Sequence, residues 1–443
     1  MRNLRYYIKF LIAFVYRFRG LLLVGIIAGV LIFLSVKLLN PLVFRGKEER
    51  IGMVGKFYTT SLPVSIQQFI SGGLTKIDDA GFAQPLLASS WEVSDDGKSW
   101  TFHIKDGIKW QDGKEIVSGD LKYNLPDVTV STPDSKTIVF YLKSSYSPLP
   151  NTLSKPIFKK GLLGFGQWVV SKKVILFGGY VQKMTLTNSD NDKKTYIFYP
   201  TEERAKLGLK LGQIDKIMGI YYPSPIDKWK TLNVEKSFNK DEVAAVFFNT
   251  SASNKLLSEK NVRQALSYAI DKDSLNPLRA ISPISPLSWA YNPQVKPYNY
   301  DLNKAKGIVE SLPKELKQDL QVRLVTTPVL LNQAEKIAKD WDKIGIKTIL
   351  QVTSVIPSDF DAYLAIFDIP KDPDQYAIWH SSQISTNVSR YSNPRIDKLL
   401  EDGRTELDQE ARKKIYLDFQ RFLVEDSPAI FLYHSISYTI ERK

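Results

Sequence analysis

Apolar residues run without a charge from Gly20 to Val36 (GLLLVGIIAGVLIFLSV), seventeen positions in all. Lys37 can snorkel, and Leu38 and Leu39 extend the stretch toward the roughly 20 residues a bilayer-spanning helix needs. The pattern predicts a transmembrane helix over 20–39. Farther on the period changes. Trp100, Phe102 and Ile104 alternate with Thr101, His103 and Lys105, as in a half-buried strand, and Lys136–Leu142 is a second β-rich run. Asp95-Asp96-Gly97 and Gln111-Asp112-Gly113 are turn signals between such segments.

The second half alternates strands with helices. Leu320, Val322 and Leu324 predict a strand. Ala334, Ile337, Ala338, Trp341 and Ile344 fall at helical spacing, Gly345 supplies a stop, and Ile346–Val352 returns to a strand. A strand, helix and strand within about 33 residues fit a right-handed βαβ unit in a parallel sheet. Asp361–Phe367 reads as a buried strand. Asn393 before Pro394 predicts a helix start, Asp408 a second and Ser258 a third, each followed by an apolar stripe that is core by default.

Charge gives the amino-terminal helix a direction. Arg2, Arg5, Lys9, Arg17 and Arg19 precede it, while Arg45, Lys47 and Arg50 follow it mixed with Glu48 and Glu49. The positive-inside bias predicts a cytoplasmic amino terminus and an extracytoplasmic remainder, in a single pass through the cell membrane. No small-x-small cleavage site follows the apolar run, so an uncleaved signal anchor is expected rather than a secretory signal. Residues 4–18 (LRYYIKFLIAFVYRF) either lie on the inner membrane surface or extend the anchor helix. The expected divisions are a basic amino terminus 1–19, the anchor 20–39 and a linker 40–50.

Of the formal net charge of +13, residues 1–50 carry +7, leaving a mild excess on the other 393. No basic stripe with interleaved aromatics accompanies it, so nucleic acid is not an expected partner. The chain has no cysteine, which excludes disulfides, thiolate sites and a lipidated amino-terminal cysteine. His103, His380 and His434 show no ligand spacing, and no metal or cofactor is expected. There is no nucleophile elbow, phosphate-binding loop or His-Glu zinc motif, so no enzyme is expected.

Leu87–Ile104 (LASSWEVSDDGKSWTFHI), Gly107–Gly113, Gly212–Asp215 and Phe248-Asn249-Thr250 together form a recognisable series. It continues through Asn261–Asp271 (NVRQALSYAID), Trp289–Pro293, Tyr300-Asp301, Lys304-Ala305 and Asp372-Pro373-Asp374. Tyr391–Asp397 and Glu425–Ile430 complete it. In this order the series resembles the family 5 extracellular solute-binding proteins, the oligopeptide-, dipeptide- and nickel-binding receptors of ABC importers. The resemblance implies an α/β, two-lobed periplasmic-binding-protein-like fold, type II and cluster C-like. Lobe 1 would hold 51–244 and 430–443, and lobe 2 would hold 245–429, with hinge crossings near Val246–Asn249 and Ala429–His434. It implies a monomeric receptor that closes on a peptide or similar small solute and hands it to ABC permease subunits. The alternative is a surface sensor or scaffold that kept the fold without transport.

Two departures from the family follow. Some thirty residues usual after the position of Tyr123 are missing, which implies a reduced extra subdomain. Peptide-binding members carry an Asp three residues before the Asp-Pro-Asp motif, where this chain has Ile369; Asp368 is one residue earlier. It either replaces the missing carboxylate or merely ends its strand. The resemblance puts Asn249, Trp289, Asp368, Asp372, Trp379 and Gln167 near the cleft as ligand-binding candidates. Gln167 follows the glycine-rich Gly161–Gly166, and Asn249 has a second reading as a partner of strand ends. The few histidines disfavour a nickel chelate.

Overall fold

The computed structural model describes residues 2–44, 46–355 and 359–443. Helix α1 (Arg2–Phe44) runs through the whole amino-terminal stretch. Its segment Ala13–Ser35 is long and apolar enough to cross a bilayer, and none of it is buried against the rest of the chain. Residues 4–18 therefore extend the helix. The expected linker 40–50 is mostly structured: α1 enters it from one side and β1 (Glu48–Val54) from the other.

After β1 come α2 (Val64–Ile70), the strand pair β2 (Thr75–Ile77) and β3 (Ala83–Pro85), and four strands of a subdomain. These are β4 (Ala88–Val93), β5 (Ser99–Ile104), β6 (Val128–Ser131) and β7 (Thr137–Leu142). They form their own sheet in the order β4-β5-β7-β6. The alternation expected at 100–104 is present, with Trp100, Phe102 and Ile104 buried. Then follow α3 (Leu149–Thr152), β8 (Val169–Ile175), β9 (Val181–Thr187), β10 (Lys193–Tyr199), α4 (Glu202–Lys210), β11 (Lys216–Ile220) and β12 (Leu232–Phe248).

The second lobe holds α5 (Lys260–Ala269), α6 (Leu302–Glu310), β13 (Gln321–Thr326), α7 (Leu331–Asp342), β14 (Lys347–Val352) and β15 (Ala362–Asp368). It ends with α8 (Tyr376–Trp379), α9 (Pro394–Thr405) and α10 (Gln409–Asp426), and β16 (Ala429–Arg442) returns to lobe 1. β13 and β14 pair in parallel around α7. Gly345, at φ +83°, ends that helix as a side-chain-bearing residue would do only with strain. Asn393 and Asp408 cap α9 and α10 through their side chains. Ser258 does not cap α5: its hydroxyl donates to the Lys255 carbonyl, and the helix starts two residues later behind Glu259.

Ten strands make one sheet, ordered β14-β13-β15-β12-β16-β11-β1-β10-β9-β8. The long strands β12 and β16 pair antiparallel and run through both lobes. Their register slips between Asn239 and Val243, opposite Ser435 and His434. On β12 this break falls before the Val246–Asn249 segment expected to cross; on β16 it falls at His434. Val246 and Phe248 lie inside lobe 2, paired with Leu364 and Ala362 of β15.

Candidate ligand cleft

Strand directions locate the cleft. β1 is parallel to β10 and β11, while β11 and β12 are both antiparallel to β16, so β1, β10 and β11 run toward lobe 2. β15 is antiparallel to β12 and parallel to β13, so the lobe 2 strands run toward lobe 1. The carboxyl ends of both parallel sets thus face each other across the register break. Ligands bind at such ends in open α/β sheets.

At this junction β15 delivers Asp368 directly opposite Glu242 of β12. Asp368 is exposed and has no ion-pair partner among the described residues. Glu242 accepts hydrogen bonds from the Tyr221 hydroxyl, at 3.1 Å, and from Ser435 Oγ. Burial raises the Tyr221 pKa, and the charges of Glu242 and then Asp368 push it further up. Next to Glu242, Asp241 pairs with Lys371, and the Asp241 carbonyl accepts from the Ile369 amide at 2.7 Å. Ile369, at the position where family members carry the ammonium-binding Asp, is buried and apolar. A cavity of about 110 Å³ opens here between the lobes. Tyr221, Tyr222 and Tyr438 line it from lobe 1, and Val329, Ile366 and Tyr433 from lobe 2.

Along one side the lobes touch. Asp372 forms a two-point ion pair with buried Arg412 and accepts from Asn151 of lobe 1 at 3.1 Å. Burial pulls the Arg412 pKa down, but Asp372 and Tyr416 together outweigh it and the net shift is upward. The Trp289 amide donates to the Ala80 carbonyl at 3.0 Å, and its ring stacks on Phe82 of lobe 1 at 6.0 Å. A Cβ on Gly81 would sit 2.5 Å from the Lys371 carbonyl, so only glycine permits this approach. Arg404 lies over Tyr376 at 4.1 Å and over Tyr146 of lobe 1 at 5.2 Å while pairing with Asp374.

Of the six candidates, Asp368, Asp372 and Trp289 meet at the junction, and three lie elsewhere. Asn249 stands at the far end of β12, seven residues beyond Glu242, or about 23 Å along a strand. Its side chain holds strand ends, donating to the Phe360 carbonyl and accepting from Ser251. Trp379 is 1% exposed in the lobe 2 core, stacked on Phe247 at 5.9 Å with Nε1 on Gln375. An indole is large enough to serve as core, and here it does. Gln167 precedes β8, whose first residue Val169 is level, through Thr187 and Lys193, with Glu48 at the amino end of β1. That is the end of the sheet remote from the cleft. His380 packs on Tyr376 at 4.0 Å and faces Glu401 and Ser382.

Glu242, Tyr221, Asn151 and Arg412 escaped the sequence reading. The only local sign was the Lys240-Asp241-Glu242 run ahead of the apolar Val243–Phe248; the pairing that gives it meaning spans over a hundred residues.

Two lobes with facing carboxyl ends, joined by a strand pair whose register breaks between them, form a cleft able to hold a solute. The chain belongs to the bacterial extracellular solute-binding proteins of family 5, whose family model matches residues 83–387. This is a family of substrate-binding proteins rather than enzymes. The chain is 25% identical to the dipeptide-binding protein of Escherichia coli (strain K12), over 81% of this chain and 82% of that protein. It is 25% identical to the oligopeptide-binding protein AppA of Bacillus subtilis (strain 168), over 88% of this chain and 86% of that one. The fold is also that of NikZ from Campylobacter jejuni in complex with Ni(L-His). That match has a TM-score of 0.75 at 22% identity and covers 90% of this chain and 95% of the other.

Proposed function

We propose that this protein is a membrane-tethered peptide receptor of an ABC importer, and that Asp368 holds the peptide's free amino end. The observation that carries this reading is the carboxylate of Asp368, exposed at the carboxyl end of β15 in the cleft and without an ion-pair partner among the described residues. A peptide ammonium entering a partly desolvated cleft needs such a partner, because an unpaired charge is costly to bury. The one-residue displacement from the family position fits the buried Ile369, which turns into the core and leaves Asp368 facing the cleft. The relatives named for dipeptides and oligopeptides support the same class of ligand.

In this reading the span Ala13–Ser35 remains in the membrane with the amino terminus in the cytoplasm. It replaces a lipid anchor, for which the chain has no cysteine, and keeps a monomeric receptor at high effective concentration beside its permease.

The test is Asp368→Asn, which keeps shape and removes charge. Losing one partner of a buried charge pair costs about 2–5 kcal/mol, or roughly thirtyfold to several thousandfold in affinity. Free-amino peptides should weaken by that much in titration calorimetry, and N-acetylated peptides far less. Equal binding of free-amino peptides by parent and variant removes Asp368 from this role. A parent that prefers acetylated peptides or other solutes ends the peptide reading.

A further inference from the structure

We infer that Glu242 reads a second positive charge on the first residue of the bound peptide, so that the receptor favours peptides beginning with lysine or arginine. The inference rests on the peptide reading above and names the substrate class within it.

Glu242 and Asp368 are directly opposed in an antiparallel pair. Their side chains share one face of the sheet, with Cβ atoms about 4.5–5.5 Å apart, and like charges so placed repel. A sheet tolerates that arrangement at a cost unless something cationic comes between. The chain's own cations do not fill the role: Lys371 is committed to Asp241. Lys240, close enough to lower the pKa of His434, forms no ion pair with Glu242 among the described residues. Glu242 instead accepts from two neutral hydroxyls, Tyr221 and Ser435. The pair sits beside the register break of β12, and such irregularities re-aim side chains at functional sites.

The cavity supplies an independent indication of the ligand. Tyr221 and Ser435, the two donors to Glu242, are part of its wall, so the Glu242 carboxylate stands one hydrogen bond behind a lining that includes neither Glu242 nor Asp368. Its apolar lining of Val329, Leu330 and Ile366 suits an aliphatic stem, and Tyr222, Asn276 and Gln333 add polar atoms to the same wall. At about 110 Å³ it has room for one side chain rather than a whole ligand. A long stem ending in a positive charge, next to an ammonium on Asp368, is the amino-terminal residue of a basic peptide.

The experiment uses the full chain in lipid nanodiscs and two tripeptide probes, Lys-Ala-Ala and norleucine-Ala-Ala, which share a stem and differ in its charge. The parent should bind the lysine peptide about tenfold to a hundredfold more tightly. Glu242→Gln should bring that ratio close to one, and Glu242→Asp should reduce it without abolishing it. Asp368→Asn should weaken both peptides together. Equal affinity of the parent for the two peptides, which needs no variant to fold, overturns the inference and leaves the peptide reading standing. A preference that survives in Glu242→Gln also overturns it. Binding of neither peptide to a folded parent removes the peptide reading and this inference with it.

Discussion

Asn151 of lobe 1 donates from Nδ2 to Oδ2 of Asp372 in lobe 2, the same carboxylate that grips Arg412 at 2.7 and 3.2 Å. One carboxylate therefore neutralises a buried cation and joins the lobes. The two roles separate energetically. Asp372→Asn leaves the Arg412 guanidinium, 6% exposed, without its counter-charge, and removing one member of a buried pair costs about 3–5 kcal/mol. Asn151→Ala removes one hydrogen bond, worth about 0.5–1.5 kcal/mol. Thermal unfolding followed by circular dichroism should show a large loss for the first and a small one for the second. Comparable small losses would mean that Asp372 does not balance Arg412.

His434 lies where β16 crosses between lobes, 3% exposed, with Nδ1 3.1 Å from the Glu242 carbonyl. Burial holds its pKa below the ordinary 6.5, and Lys240 adds to that, against the opposing pull of the Glu242 carbonyl and Asp241. The folded protein thus binds fewer protons than the unfolded chain at this site. Stability from this group is full above about pH 6.5 and is lost as pH falls through the lower folded-state value. Between pH 7 and 5 the parent should lose stability in urea titrations, and His434→Gln should lose less over the same interval. Parallel slopes would exclude His434 as the source.

The tether is tested by mass. Ala13–Ser35 is unburied in the fold and lacks a small-x-small site after it. Protein extracted from membranes should retain Met1 or Arg2 at its start by intact-mass measurement. A mature chain beginning after Leu39 would show a cleaved signal instead.

Period and punctuation exposed the βαβ unit of β13, α7 and β14, because each element carries its own apolar stripe or alternation. They also exposed the Asn393 and Asp408 caps, which depend on neighbours within three residues. The cleft was legible only where a family motif marks it, as at Asp372. Trp379 packs in the core, and an aromatic in a loop-like stretch looks the same in sequence whether it faces solvent, ligand or core, whereas Asn249 follows its second reading as a partner of strand ends. Glu242 gained its meaning from standing opposite Asp368, and register between distant strands leaves no local trace.

Tyr222, just past β11 in lobe 1, donates its hydroxyl to the Val329 carbonyl and lies 3.3 Å from Gln333 Oε1 of α7 in lobe 2. Its amide is held in turn by Glu202 at 3.1 Å, so the ring is anchored to lobe 1. The contact therefore exists only while the lobes are together, and β12 and β16 are left to flex at their register break. Tyr222→Phe keeps the ring and deletes the bond. Losing about 0.5–1.5 kcal/mol of closed-state stabilisation shifts the lobes toward opening by roughly twofold to tenfold. Ligand affinity should drop by no more than that factor, since only the closed fraction is stabilised. Small-angle scattering of the unliganded variant should give a larger radius of gyration than the parent, with the difference vanishing at saturating ligand. If affinity falls while the unliganded radius stays at the parent's value, the Tyr222 hydroxyl serves the ligand and does not latch the lobes.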